Sequence, residues 1–187
     1  METKHLQRRW LNMFNSNVNK FFINKTVLDI GCLDGYSTNQ FIRFGCKSAI
    51  GIDIESKYIK KAKLEYPEIN FKVQDAEEID FNYLDNIDVI SCLGLTYLLH
   101  DPVKFLNNLS IQNKSNTIII ETVYNNSTNY PDNSPRILNA DVIKNFFINK
   151  NWKLSYEKIF TVNQINNQIN KDINFANRII LVFERIL

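Results

Sequence analysis

Between Thr26 and Tyr36 an apolar run, Val27-Leu28-Asp29-Ile30, breaks into a turn bracketed by Gly31 and Gly35 and then passes directly into a helical segment. A short apolar stretch closed by turn residues reads as a buried strand. The alternation continues downstream. Ser48 to Ile54, Asn70 to Gln74, Ile87 to Leu93 and Thr117 to Tyr124 are further short apolar runs, and the last carries three consecutive isoleucines, Ile118 to Ile120. Between them, Tyr36 to Phe44 reads as a helix closed by Gly45, Ser56 to Glu65 as a Lys-rich helix ending before Pro67, and Pro102 to Leu109 as a helix with proline in its first turn. Strands that are apolar throughout and alternate with helices predict a parallel sheet covered on both faces.

The carboxy-terminal third departs from this rhythm. Residues 125 to 139 are rich in Asn, Pro and Ser and read as a loop, long enough to be functional. Ala140 to Asn149 returns to helix, and Trp152 to Val162 and Asn177 to Ile186 are the last strands. The Asn/Gln-rich connection between those two holds no convincing helix, so they are expected to pair antiparallel. At the other end, Leu6, Trp10, Leu11, Phe14, Val18, Phe21 and Phe22 recur near helical spacing and predict an amphipathic helix over Lys4 to Phe22. Trp10 there reads as core rather than lid. The expectation is one domain over residues 1–187: an amphipathic helix within 1–25 and a Rossmann-like, doubly wound α/β core over 26–187. Its seven-stranded sheet is mostly parallel, with an antiparallel last strand.

Composition narrows the class. A chain of 187 residues with 44% apolar content and 13 Phe is too apolar for disorder and large enough for a real core. No apolar run approaches the roughly 20 residues of a membrane span. The first ten residues lack the apolar core of a secretory signal. Three cysteines, Cys32, Cys46 and Cys92, without a CxxC spacing indicate neither a disulfide framework nor a zinc knuckle. A cytoplasmic location follows as the expectation. The formal charge of +2 conceals an acidic centre between basic flanks: residues 1–25 and 136–187 are each +4, and residues 26–135 are −6. Basic flanks attract a polyanion such as RNA if they converge in space, and are otherwise solvated helix faces.

The chemistry is expected where the strands end. Gly31 and Gly35 let backbone approach a ligand closely, and the helix that follows favours polar or anionic groups. The Gly31-x-x-x-Gly35 spacing is not the dinucleotide fingerprint, and no Gly-Lys-Ser/Thr follows to make a phosphate-binding loop. Eighteen residues after Gly35, the second strand ends in Gly51-Ile52-Asp53-Ile54, and an acid there can accept hydrogen bonds from both ribose hydroxyls. The third strand ends in Gln74-Asp75-Ala76, where a carboxylate can accept from an exocyclic adenine amine. Acids at three consecutive strand ends, with no basic residue among them, suit a positively charged nucleoside better than a pyrophosphate. That points to a sulfonium cofactor rather than NAD.

With these motifs the chain resembles the class I S-adenosylmethionine (SAM)-dependent methyltransferases: VLDIGCLDGYS is similar to their first motif, IGIDIE to the second and VQDAEEI to the third. The resemblance runs over roughly residues 20–187. It implies that Asp29, Gly31, Cys32, Leu33, Asp34 and Gly35 frame the methionine end of SAM. By the same likeness Asp53 holds the ribose, Ile54 packs on adenine, Asp75 meets the adenine amine with Ala76 beside it, and Cys92 and Leu93 line the cleft. The family's usual middle glycine of the first motif is Leu33 here. The segments GCLDGYST, LGLTYLLHDPVKFL, IIIETVYN and ADVIKNFFINKNWK are similar, in order, to the tRNA wobble-uridine carboxymethyltransferase-like branch. That branch has Tyr-His after the fourth strand, whereas this chain has Tyr97-Leu98 and places its histidine at His100, beside Asp101-Pro102.

The acceptor is less legible. Ser91-Cys92-Leu93-Gly94 does not resemble the motif of base amino-methyltransferases, no Pro-Cys is present for cytosine C5 chemistry, and His5 and His100 cannot form a zinc site alone. No metal is expected. Tyr97, His100 and Glu121 are the candidate catalytic residues, with Tyr124 nearby. A histidine can act as base, and Glu121 interrupts an apolar strand, so it is either a paired buried acid or a site residue. The implied function is methyl transfer from SAM to a small-molecule or nucleotide acceptor, releasing S-adenosyl-L-homocysteine. A non-catalytic methyltransferase-like partner protein, or an enzyme using SAM or carboxy-SAM in another reaction, are the alternatives.

Overall fold

The computed structural model describes residues 13, 17–81, 86–112, 115–124, 138–161 and 177–186. Seven strands form one sheet: β1 (Thr26–Ile30), β2 (Ser48–Asp53), β3 (Asn70–Val73), β4 (Val89–Leu93), β5 (Thr117–Val123), β6 (Trp152–Thr161) and β7 (Asn177–Arg185). The helices are α1 (Tyr36–Arg43), α2 (Ser56–Glu65), α3 (Pro102–Gln112) and α4 (Ala140–Ile148). Strand order is β3-β2-β1-β4-β5-β7-β6. Neighbours from β3 through β5 pair in parallel, and β7 runs antiparallel to both β5 and β6. The chain therefore winds outward from β1 in one direction, then returns to lay β4 on β1's free side, as expected of a doubly wound sheet.

Strand alternation explains why both faces are apolar. Leu28, Ile30, Ile90, Cys92, Ile118 and Ile120 join one buried cluster with Phe105, Leu106 and Leu109 of α3 and Ile143 and Phe147 of α4. Their odd-numbered neighbours Val27, Val89 and Ile119 join a second cluster with Phe41 of α1 and Phe21 and Phe22. Successive side chains of a strand point to opposite faces, so an all-apolar strand serves two cores at once. A third cluster under α2 holds Cys32, Ile59, Ala62, Ile69 and Phe71.

Helix bounds follow local signals. Asp101 caps α3, its Oδ1 accepting the Lys104 N–H at 2.9 Å, and Asn139 caps α4 by accepting from Val142 N at 2.8 Å. β4 begins two residues later than the apolar run suggests because Asp88 is engaged elsewhere. Its Oδ2 accepts the Thr26 N–H at 2.8 Å and its N–H donates to Thr26 O at 3.0 Å, anchoring the start of β1. The predicted amino-terminal helix meets a further difference: residues 17–18 form a turn and Asn19–Phe21 a single 3-10 turn. Asparagines at 17 and 19 favour turns over a helix interior, because their side chains compete for backbone hydrogen bonds. Residues 1–12 and 14–16, including Trp10, lie outside the described residues, as do 125–137 of the predicted loop and the connection 162–176. Among the described residues, no helix is long and apolar enough to cross a membrane.

Candidate functional site

The carboxyl ends of β1, β2 and β4 and the segment after β3 open onto a cavity of about 440 Å³ at the point where the strand order reverses. Residues 31–33 after β1 form one wall, Asp53, Ile54 and Glu55 another, Gln74 to Glu77 a third, and Leu93 to Leu95 with Tyr97 to Leu99 a fourth. Ser37, Tyr58 and Met13 complete the lining.

The turn after β1 is built on backbone hydrogen bonds. Gly31 N and Cys32 N both donate to Ile52 O, at 2.9 and 3.0 Å, and Gly35 N donates to Cys32 O at 2.9 Å. Leu33 takes a left-handed backbone, φ 49°, with its N–H donating to Asp53 Oδ2 at 2.9 Å. Such a conformation costs a β-substituted residue about 1 kcal/mol or more. The Leu33 side chain is 38% exposed, so it is not held there by core packing. Phe71 fills the space behind this turn: a Cβ on Gly35 or on Gly51 would stand 2.6 or 2.5 Å from its ring. Only glycine fits at either position while that ring is in place.

Carboxylates hold the loops. Asp53 Oδ1 accepts the Glu55 N–H at 2.9 Å while Oδ2 takes Leu33. Asp75 Oδ1 accepts the Glu77 N–H at 2.8 Å. A carboxylate offers about four lone-pair sites, so both acids retain acceptor capacity toward the cavity they line. Among the described residues, the charged members of the lining are Asp53, Glu55, Asp75 and Glu77, all acidic. Lys57 pairs with Glu55 at 3.4 Å, both side chains being exposed at the rim.

The residues expected from sequence divide into two sets. Gly31, Cys32, Leu33, Asp53, Ile54, Asp75, Ala76, Leu93 and Tyr97 line the cavity. Asp29, Asp34, Gly35 and Cys92 stand behind it. Asp29 is buried and accepts from Ser37 Oγ at 2.7 Å and Thr38 Oγ1 at 2.8 Å. Burial pushes its carboxyl up to about 6 against those hydrogen bonds. Asp34 accepts from Lys61 Nζ at 2.7 Å. Cys92 belongs to the core. Burial, assisted by the Asp29 and Asp53 carboxylates, drives the Cys32 thiol well above its usual range, and burial followed by Asp29 does the same for Cys92. Both stay protonated and poorly nucleophilic.

On the far side of the crevice, Glu121 is buried in β5 and paired with Arg178 of β7, which the sequence reading did not single out. Arg178 Nε donates to Glu121 Oε1, and Nη2 donates to Glu121 Oε2 at 2.8 Å and to Tyr97 Oη at 3.1 Å. The guanidinium also lies 5.0 Å from the Tyr97 ring centroid. Burial works to lower the arginine's pKa, but the Glu121 carboxylate and Tyr97 hold it above its ordinary value. The available signal was a lone cation in an otherwise apolar run, Arg178-Ile-Ile-Leu-Val-Phe183, mirroring Glu121 in β5. His100 is exposed and outside the cavity lining; its backbone N–H donates to Glu77 Oε2 at 2.9 Å. Tyr124 packs against the core cluster beneath α3 and α4. Glu55, Gln74 and Glu77 were also missed, because residues between the main helices and strands carry no periodic signal, and so was Tyr58, whose place in α2 gives no sign of which face meets the cavity. Among the described residues no group of His, Cys, Asp and Glu is arranged to hold a metal ion.

A doubly wound sheet whose ligand crevice is walled by a glycine-bracketed turn and strand-end carboxylates defines a Rossmann-like nucleoside-binding architecture. Within that class the chain belongs to the methyltransferase domain family, whose model matches residues 22–174. A curated relative, the tRNA U34 carboxymethyltransferase of Campylobacter jejuni subsp. jejuni serotype O:23/36 (strain 81-176), is 31% identical over 132 residues, which cover 64% of this chain and 44% of that protein. The chain thus spans less than half the length of that relative. Among solved structures, a chain of the Haloferax volcanii complex containing the Trm112 methyltransferase activator superposes with a TM-score of 0.75 at 14% identity, covering 99% of this chain and 92% of that one. The N-methyltransferase NodS from Bradyrhizobium japonicum WM9, in complex with S-adenosyl-L-homocysteine, gives a TM-score of 0.69 at 14% identity, covering 100% and 87%. At these identities the superpositions establish the fold.

Proposed function

We propose that the cavity binds SAM and that the chain transfers its methyl group to a small-molecule or nucleotide acceptor. The observation that carries this reading is the donor set: two strand-end carboxylates with spare lone pairs, in a cavity whose charged lining among the described residues is all acidic. That lining suits a cationic nucleoside and opposes a pyrophosphate. Asp53 would hold the ribose hydroxyls and Asp75 the exocyclic amine. Ile54, 61% exposed at the cavity wall, and Ala76 would pack against adenine. Residues 31–33 would present backbone to the methionine end, with Asp29, Asp34, Gly35 and Cys92 supporting the turn from behind. Leu93 and Tyr97 would face the acceptor.

Bound SAM supplies an activated methyl group, and a nucleophile in line with it needs chiefly to be positioned. Arg178 donates to the Tyr97 oxygen at 3.1 Å and so fixes the phenol at the cavity wall. Tyr97 would thereby orient the acceptor, with Glu121 acting through Arg178. His100 would contribute its backbone rather than its ring. Calorimetry with S-adenosyl-L-homocysteine tests the reading: the wild type binds, and Asp53→Ala weakens binding at least about tenfold, the loss of charge-assisted hydrogen bonds. No heat from the wild type, or unchanged affinity for the variant, would end it.

The carboxymethyltransferase relative supports a second reading, a donor bearing an added carboxylate and a tRNA acceptor. Among the described residues the cavity lining carries no cation to meet such a carboxylate, and Arg178 behind Tyr97 is already paired with Glu121, which favours the plain methyl donor. Mass spectrometry of the co-purifying nucleoside separates the two.

A further inference from the structure

Glu77 is a cavity-lining acid whose carboxylate ties the segment after β3 to the loop after β4. Its Oε2 accepts the His100 N–H at 2.9 Å and its Oε1 the Asp101 N–H at 2.6 Å. Those two N–H groups immediately precede α3, whose cap is Asp101. Glu77's own N–H is held by Asp75, the acid assigned to the adenine amine. One continuous path of hydrogen bonds therefore runs from the adenine acid, through Glu77, to the loop after β4. That loop carries Tyr97, Leu98 and Leu99 into the cavity. Leu98 is 70% exposed, so packing alone does not fix it. Each link joins a carboxylate to a backbone N–H, the stronger kind of hydrogen bond.

We propose that Glu77 is a positioning residue: its carboxylate clasps residues 100–101 so that the loop after β4 closes the adenine end of the cavity. Cofactor held at Asp75 is thereby coupled to the loop that presents Tyr97 to the acceptor. This inference rests on the cofactor reading above, and the assays are chosen to separate the two.

In the full chain, Glu77→Ala weakens S-adenosyl-L-homocysteine binding roughly tenfold, and Glu77→Gln, which keeps one acceptor oxygen, falls between it and the wild type. Glu78→Ala, its exposed neighbour, binds as the wild type does. Hydrogen exchange without ligand quickens at His100 and Asp101 in Glu77→Ala, while amides of β1 and β4 keep their protection. Phe147→Leu, in the core against Trp152 and Phe183, supplies a variant destabilised away from the cavity. It loses thermal stability but retains affinity. Equal affinity of Glu77→Ala and wild type overturns the proposal, as does a matching affinity loss in Phe147→Leu. If the wild type fails to bind, the cofactor reading falls instead. The ligand-free exchange then decides the clasp by itself, and unchanged exchange at residues 100 and 101 overturns it.

Discussion

The two halves of the sheet build their sides of the crevice from different materials. Around β1 to β3 the polar contacts of the cavity acids Asp53 and Asp75 join carboxylates to backbone N–H groups: Asp53 to Glu55 and Asp75 to Glu77 are two residues apart, and Leu33 to Asp53 twenty. Across β4, β5 and β7 they join side chains far apart, with Glu121 57 residues from Arg178 and Tyr97 81. A site made of turns and short-range caps is encoded locally and shows as spacing. A site made of side chains from distant strands exists only once the sheet has assembled. The β4–β7 side should therefore depend more steeply on folding, and the β1–β3 side should tolerate single changes with smaller losses.

The sharpest break in that contrast is Glu121→Ala. It leaves a buried guanidinium without its counter-ion, and chemical denaturation should show a loss of about 3–5 kcal/mol. Adding Arg178→Met recovers most of it, since the apolar pair carries no desolvation cost. Little recovery in the double variant would mean that Tyr97 and the surrounding backbone, rather than the ion pair, hold this side together.

Asp29 should give the next largest effect, on the β1–β3 side and with an unusual sign. Its folded pKa of about 6 lies above its ordinary 3.8. The folded state therefore binds that proton more tightly than the unfolded chain does. Stability from this group is greatest below pH 4 and falls as pH rises through 6, by on the order of 2–3 kcal/mol. Asp29→Asn removes the titration, so its stability relative to wild type should climb between pH 4 and 7. A flat difference across that range would show that the Ser37 and Thr38 hydroxyls fully offset the burial.

Leu33→Gly should do least. Relief of the left-handed backbone, about 1 kcal/mol, is opposed by the added freedom of glycine in the unfolded chain, about 0.5–1 kcal/mol. Thermal unfolding should place the variant within about 1 kcal/mol of wild type. Leu28→Ala, in the core within β1 five residues earlier, should cost about 2–5 kcal/mol. A large loss at Leu33 would mean that its side chain braces the turn.

The same division explains what could be read in advance. β1 follows from an apolar run closed by turn residues, α2 from a Lys-rich stretch ending before Pro67, and the pairing of β7 with β6 from a connection without a helix. The strand-end motifs located Gly31, Cys32, Leu33, Asp53, Ile54, Asp75 and Ala76 of the cavity. Arg178 and Glu77 escaped notice for different reasons. Arg178 gains its role from a partner in another strand, and Glu77 from a loop that meets it only in three dimensions. Leu33 was visible as a departure from a glycine. Only the backbone shows how it is accommodated, with its N–H satisfied by Asp53 and its side chain left partly in solvent.

The ring of Phe71 touches the space above both Gly35, in the turn before α1, and Gly51, inside β2. Those three positions consequently form a single unit of inheritance. A larger residue at either glycine requires a smaller one at 71, and a smaller residue at 71 opens a void that both positions feel at once. In related chains the three should change together or not at all. Losing the aromatic ring would relieve the tightest contact at both glycines, yet Gly35 would stay constrained by its left-handed backbone and Gly51 by the Cys32 sulfur 2.9 Å from a Cβ there.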